Sequence, residues 1–419
     1  MKLIVDENSK NYTCSIVEIG ETFSIENSDN LNRVVVNGNN VVVPKSISKG
    51  DRMLYFCSGT KLSSDFCYHN NLYSDATDNK DKSVSGYISK NCRVKCLKLR
   101  GVISDGMLMT LDSLFYFLND VSWLKVGDEF THVDNTLICE KYVVPVKNSN
   151  PNQQKAEKKN KLEGVIVDNQ FRFHKETEHF VKYQNKFTQE TQIVITRKIH
   201  GSSLILSNIL INKKLSFIDK LLLRLGIKIA KEEFGFVWSS GKPKSKLPKG
   251  VESTTNKWDT PNISYYTSDI WARAYKEIGH CVEKGISIYA EIVGEGIQGA
   301  QFTYGQSYGI HVYRITRTTS EGNVDEFSWS AVKNYCEKYG LNHVQEYFSG
   351  KVKELVVLDE NLLEYLQQKY LNKSYPDCKI DEGVCVRIVE TDEIFKLKSP
   401  NFILHESSNQ ENGIEEVES

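Results

Sequence analysis

The sequence predicts an α+β protein in two unequal parts, and three observations predict it. Residues 1–147 carry short β-branched and alternating runs broken by Asn, Gly and Asp, the pattern of a small β-barrel or sandwich. Residues 148–161 are polar and lack apolar periodicity, which marks an exposed linker. Residues 162–405 alternate apolar strand-like runs with stretches of helical period, so sheets and helices should pack together there. A chain of 419 residues is too long for one ordinary core, and two or three domains are expected.

Taken in order, residues 33–36 and 41–43 are valine-rich runs joined by Asn37-Gly38-Asn39-Asn40, which predicts a hairpin. Residues 93–100 alternate basic and apolar side chains, as a strand does. Lys95, Lys98 and Arg100 there fit either a phosphate-facing strip or a solvated strand face. Ser216, with Asp219 three residues on, is placed to cap a helix through Leu221-Leu222-Leu223-Arg224-Leu225-Gly226. Helices are also expected over residues 267–284, over 330–339 with Gly340 as the stop, and over 362–370. Residues 406–419 are rich in Glu, Ser and Asn and read as a disordered acidic tail. No internal repeat is present.

Composition narrows the class. Hydrophobic residues make up 40% and charged residues 26%, the balance of a soluble globular protein. A net charge of -1 excludes a whole-chain basic excess, so any nucleic-acid surface must gather its cations locally. The start, Met1-Lys2-Leu3-Ile4-Val5-Asp6, has no long apolar core and no small-residue cleavage site, so no signal peptide is expected. No apolar run reaches the ~18 residues of a spanning helix, and no membrane partner is expected. The ten cysteines are scattered, and Cys92 and Cys96 lack a second pair or a histidine cluster. Free thiols in a reducing intracellular setting, cytoplasmic or nuclear, are expected rather than zinc or disulfides. Abundant Lys, Asn and Ile point to an A·T-rich genome, such as a viral one.

Four fragments carry chemistry. Lys198-Ile199-His200-Gly201 follows the β-branched run Gln192-Ile193-Val194-Ile195-Thr196, which holds an amine at the lip of a sheet. Lys198 is the candidate nucleophile. At pH 7 only roughly one free lysine in 2,500 is neutral, and lowering its pKa by about three units needs roughly 4 kcal/mol, which neighbouring cations such as a pair of close lysines in a partly dry cleft are expected to supply. Phe395-Lys396-Leu397-Lys398 supplies two cations on one strand face with Leu397 turned inward, a match for a polyphosphate, although exposed edge lysines share the pattern. Asp381-Glu382-Gly383 offers a carboxylate for Mg2+ beside a glycine that permits close backbone approach. Strict alternation sets Arg387 on the face opposite Glu382. Glu291, inside Tyr289-Ala290-Glu291-Ile292-Val293, is costly to bury unpaired and should face a cleft, bound to a ribose hydroxyl or to a basic side chain.

These fragments, in this order, resemble the motifs of the covalent nucleotidyltransferase superfamily of DNA ligases, RNA ligases and capping enzymes. Within it the chain is most similar to ATP-dependent RNA ligases with an N-terminal OB-fold module. Phe171-Arg172-Phe173-His174 and Val312-Tyr313-Arg314-Ile315-Thr316 add to the likeness, which covers residues 160–405 well and the first 147 only as a β module. The resemblance implies an antiparallel-sheet, ATP-grasp-like ligase domain over 162–405 behind an OB-like nucleic-acid-binding module over 1–147. It implies that Lys198 takes AMP from ATP, that Glu382 holds Mg2+ or Mn2+, that Lys396 and Lys398 contact the α-phosphate, and that Glu291 binds the sugar. Gly201 and Phe236 would belong to the nucleotide site, with Phe236 or Trp238 stacking on adenine, although a place in the core is the default for either aromatic. The partner implied is RNA, as a nicked duplex or broken ends, and a monomer is expected.

Three departures stand out: His200 where aspartate is common, Arg197 where glutamate is common, and Ser240 where an arginine is expected, with Lys242 nearby as a substitute. Two other functions fit parts of the pattern. A capping guanylyltransferase shares the lysine motif, but the β module precedes the lysine here. An inactive nucleic-acid-binding protein fits the departures, but all four of Lys198, Glu382, Lys396 and Lys398 are present.

Overall fold

A computed structural model gives the fold and describes residues 2–144, 166–174, 176–240, 270–357, 360–371, 373 and 375–411. The linker expected at 148–161, Lys242 and residues 412–419 lie outside the described residues. The architecture is mixed α+β with mainly antiparallel sheets.

The N-terminal residues build small sheets around two cores. A four-stranded antiparallel sheet runs in the order Met107–Thr110, Arg52–Phe56, Cys14–Glu18, Glu129–Phe130. A three-stranded sheet holds the valine hairpin, Leu31–Val36 paired with Asn39–Pro44. Its turn is only Asn37-Gly38, both with positive φ (49° and 78°), the conformation that suits a two-residue hairpin. The strands therefore extend further into the turn than the sequence pattern marked. One core collects Phe56, Phe66 and Phe130, and the other the inward valines Val34, Val36, Val41 and Val43.

The strand expected over 93–100 is shorter. Only Cys96–Leu99 is a strand, with Leu97 and Leu99 exposed. Arg93 is 2% exposed, and its guanidinium donates to the Ser407 carbonyl and hydroxyl. Lys95 pairs with Glu411 at 2.5 Å, whereas Lys98 and Arg100 are solvated. No single strip gathers Lys95, Lys98 and Arg100, because this hairpin lies against the C-terminal helix rather than within a larger sheet.

That helix, Pro400–Glu411, corrects the expectation of a disordered tail from residue 406. Proline fits the first helical position, and Ser399 Oγ accepts from the Phe402 N–H. Contacts from Arg93 and Lys95 hold its far end in place, a tertiary effect that composition does not register.

The larger part has two five-stranded sheets. The first runs Glu178–His179, Ile394–Lys398, Gly383–Ile388, Gln192–Lys198, Glu346–Lys351, antiparallel except for the first pair. The second runs Glu232–Ser239, Ser202–Asn212, Ile286–Val293, Gly309–Thr318, Val324–Glu326. Helix Leu362–Tyr370 covers the first sheet through Leu363 and Leu366. Helices Ile270–Ile278 and Trp329–Tyr339 cover the second through Trp271, Ala274, Val332 and Cys336. The helix expected over 267–284 is shorter in its described part, closing in a 3-10 turn, Gly279–Cys281, before the strand from Ile286. Gly340 ends its helix in the left-handed conformation at φ 65°. Ser216 and Asp219 form the reciprocal cap at the head of helix Phe217–Arg224.

The two parts meet through polar contacts. Lys182 Nζ donates to the Lys10 carbonyl, Thr13 Oγ1 and Glu129 Oε2 at 2.7–2.9 Å, and Lys141 pairs with Glu176 at 2.9 Å. All ten cysteines are free thiols.

Candidate active site

The chain leaves the first five-stranded sheet at Lys198 and enters the second at Ser202. Only three residues bridge the sheets, so the two sheets come close together at this crossing. Gly201 makes that crossing possible: a Cβ there would lie 2.4 Å from the Ile292 carbonyl oxygen. Gly201 thus serves close packing and is not among the lining residues of the pocket beside it.

That pocket gathers most of the expected site. Lys198, Glu291, Glu382, Lys396 and Lys398 all line it. Lys198 pairs opposite Gly383, and Gly383 pairs opposite Lys398, so three adjacent strands bring the lysine, the acid and the second lysine into register. Leu397 turns into the core below, as alternation requires.

Lys198 Nζ lies 2.7 Å from Glu382 Oε1. Burial works against the ammonium charge, but Glu382 outweighs it and holds the Lys198 pKa above the ordinary lysine value. This corrects the expectation that neighbouring cations keep Lys198 neutral: here a carboxylate is closer than either lysine partner. The amine whose pKa falls is Lys396, pushed down to about 8 by burial and then by Lys398. Lys396 has Glu176 at 3.4 Å, and Lys398 has both Glu406 oxygens at 2.8 Å. Acidic side chains therefore occupy the neighbourhood where anionic substrate atoms would sit.

Glu291 is 5% exposed in a strand whose every residue is buried, and its Oε2 has no hydrogen-bond partner. Burial pushes its carboxyl well above the usual range, with Lys198 only partly opposing, which favours the protonated form. Glu382 Oε2 is likewise buried without a partner. Burial opposes its charge too, yet Lys198, His200 and Lys398 keep its pKa below the ordinary glutamate value. Among the described residues no group of three or more His, Cys, Asp or Glu forms a ready metal cage. One free carboxylate oxygen beside a phosphate-sized space suits Mg2+, which keeps water and substrate oxygens in its shell.

The departures resolve locally. Arg197 points its guanidinium at Asp377 (3.1 and 3.3 Å) and Asp381 (3.4 Å) and lies over the Tyr375 ring at 4.0 Å. His200 is buried between Phe302 and Phe402, its backbone N–H donates to Tyr304 Oη at 2.8 Å, and burial lowers its ring to about 4. Ser240 is buried outside the pocket lining.

Phe236 is a correction. It sits opposite Asn208 with its ring 5.3 Å from Tyr275 and does not line the pocket. Trp238, stacked on Tyr275 at 4.4 Å, is equally remote. The strand edge that carries both is packed by helix Ile270–Ile278, which claims the aromatic side chains for the core. Arg387, set aside on alternation, does line the pocket. The strand begins at Gly383, whose φ of 132° breaks the count from Glu382, so Cys385 and Arg387 share the pocket face. Tyr12, Glu176, Tyr313 and Glu406 line it as well, and sequence reading assigned none of them a role. Alternation from Glu291 across the neighbouring strand could have found Tyr313. Tyr12 and Glu406 arrive from opposite ends of the chain and left no local signal.

A family model described as RNA ligase matches residues 191–398. No curated protein matches the chain. Among solved structures, a Naegleria gruberi RNA ligase mutant with ATP and Mn has a TM-score of 0.56 and 16% identity, over 93% of this chain and 98% of that one. A second mutant of the Naegleria enzyme with ATP and Mn gives 0.54 and 14%, over 97% and 100%. A third, with AMP and Mn, gives 0.54 and 15%, over 93% and 97%. Each likeness shows a shared fold along almost the whole chain.

Proposed function

We propose, from the match of residues 191–398 to the RNA ligase family model, that this chain is an RNA ligase whose pocket joins a 3′-hydroxyl RNA end to a 5′-phosphate end at the expense of ATP. The observation that carries the proposal is the meeting of Lys198, Glu291, Glu382, Lys396 and Lys398 in one cleft. ATP and a divalent metal are the expected small molecules, in keeping with the ATP and Mn of the Naegleria structures.

In the first step the Lys198 ammonium gives its proton to solvent water and the neutral amine attacks the α-phosphorus of ATP. The bond to the β-phosphate oxygen breaks and pyrophosphate leaves, so AMP is held on Lys198 Nζ. In the second step a 5′-phosphate oxygen of RNA attacks the same phosphorus and the P–N bond breaks. In the third the 3′-hydroxyl attacks the activated 5′-phosphate and AMP leaves. Lys396 and Lys398 hold the α-phosphate oxygens and offset the charge that builds there. A divalent ion held by Glu382 would add positive charge at the phosphates and compete with Lys198 for the carboxylate. Glu291, whose protonated form burial favours, donates to a sugar hydroxyl. Tyr313, beside Glu291, takes the place first given to Phe236 as the aromatic surface for the base.

The N-terminal sheets act as an OB-like module that grips the RNA backbone. Residues 1–147 and 162–411 are then the two domains, the second extended past 405 by the C-terminal helix. The test is direct: incubate the protein with Mg2+ and α-labelled ATP or GTP. Acid-stable label from ATP that disappears in Lys198→Ala supports the ligase. Label from GTP alone means capping, and no label with either nucleotide leaves only binding.

A further inference from the structure

At the far end of the second sheet, the hairpin between strands Ser202–Asn212 and Glu232–Ser239 carries helix Phe217–Arg224 at its tip. No residue of this helix is buried. Phe217, Leu221 and Leu225 recur every four residues and form one stripe, with Ile218 beside it. Their exposures are 82%, 48%, 68% and 66% in that order, and Ile227 adds a further apolar side chain just past the turn. A soluble helix normally turns such a stripe inward, and here nothing of the chain's described residues covers it.

The charge around the stripe is one-sided. Lys213, Lys214, Lys220, Arg224, Lys228 and Lys231 stand against Asp219 alone within residues 213–231, in a chain whose net charge is -1. Lys220 and Arg224 flank the stripe itself. Glu232 and Glu233 come only at the base, where the returning strand begins. RNA would account for the cations but not for five exposed apolar side chains. A surface that is both anionic and apolar beneath accounts for both.

We propose that this hairpin tip is a docking element for an anionic lipid surface. The helix lies in the plane of the headgroups, with Phe217, Leu221 and Leu225 in the acyl boundary and the six cations among the acidic headgroups. No described helix is long and apolar enough to cross a membrane, so the attachment is peripheral. The tip stands off from the pocket by the length of a strand, roughly 30 Å from Ser203, which pairs with Glu291, to Asn212. The protein can sit on a membrane with the pocket free.

The test uses the full chain and flotation with vesicles of phosphatidylcholine alone or with about 30% phosphatidylserine. Binding should be at least about tenfold stronger to the acidic vesicles and weaken with salt. Phe217→Ser with Leu221→Ser should lose about tenfold or more, as should Lys220→Glu with Arg224→Glu, while both double variants keep the parental yield of label from ATP. A parent that does not float, or a Phe217→Ser/Leu221→Ser variant that floats equally well, overturns the proposal. So does loss of nicked-RNA affinity in Lys220→Glu/Arg224→Glu without any flotation of the parent, which makes the tip an RNA contact. A dimer that the serine variant dissolves assigns the stripe to a second copy of the chain instead.

Discussion

Lys198 Nζ and Glu382 Oε1 are 2.7 Å apart, because Lys198 pairs opposite Gly383, the residue next to Glu382. Lys198 and Glu382 therefore neutralise one another in the pocket. Both groups must be released for chemistry, the acid to metal and phosphate, the amine to the neutral form. Glu382→Gln frees the amine yet removes the anionic ligand. On the proposed function, adduct formation should fall about 100-fold or more in Glu382→Gln, to be followed as acid-stable label from ATP. Undiminished labelling would mean that Glu382 only parks the lysine.

Lys396 gives the pH dependence. Its pKa is about 8, below the ordinary value of 10.5. The ammonium is present at pH 7 and lost through pH 8 to 9, so affinity for an ATP analogue should weaken across that window. Arginine does not deprotonate there. Lys396→Arg should keep a flat profile even if its affinity at pH 7 is lower. The same shift acts on folding. Between about 8 and 10.5 the unfolded chain holds a proton that the folded chain lacks, so Lys396 adds stability as pH rises through that range. A titration of nucleotide Kd at pH 7, 8 and 9 for parent and variant decides the first point. A slope that survives in Lys396→Arg belongs to another group.

The parts of the site that were legible in the sequence are those set by short-range rules. Lys198 ends a β-branched run, Lys396 and Lys398 straddle a core leucine, and Glu291 interrupts an apolar strand. Each is a local feature that a cleft explains. Phe236 failed because an aromatic in a strand says nothing about which layer covers it, and a helix took it into the core. Arg387 failed because the positive φ of Gly383 moved the start of the alternation by one residue. Tyr12, Glu176 and Glu406 come from other parts of the chain and depend on how the two parts dock. The helix at residues 400–411 was hidden for the same reason: its composition is that of a tail, and partners more than 300 residues away in sequence order it.

Glu291 separates a neutral donor from a charged acceptor. Held well above the usual carboxylate range by burial, it should be replaced tolerably by glutamine, which also donates and accepts. Glu291→Gln should keep ATP-analogue affinity within about threefold, and Glu291→Ala should lose roughly tenfold, the worth of about one hydrogen bond. Equal losses in both would show that a carboxylate charge is what the pocket needs, and the neutral role would fall.

Gly383 offers the sharpest test of how backbone geometry makes the site. A Cβ there would lie 2.1 Å from the Leu397 carbonyl oxygen and 3.0 Å from the Lys398 Cα, with φ at +132°. Those atoms belong to the strand that carries Lys396 and Lys398, so Gly383→Ala must push that strand away from Glu382. Overpacking of this kind costs about 1–3 kcal/mol, with strain at a glycine-only φ in addition. A lowered Tm is therefore expected, and on the proposed function a loss of adduct formation larger than the unfolded fraction explains, because Lys396 and Lys398 move together. Gly20 has nothing within 4 Å of its built Cβ and no positive φ, so Gly20→Ala serves as the control and should change neither property. Calorimetry and ATP labelling on the two variants, at a temperature where both are folded, separate the outcomes. If Gly383→Ala were destabilised but labelled as the parent does, the spacing between these two strands would not govern the chemistry.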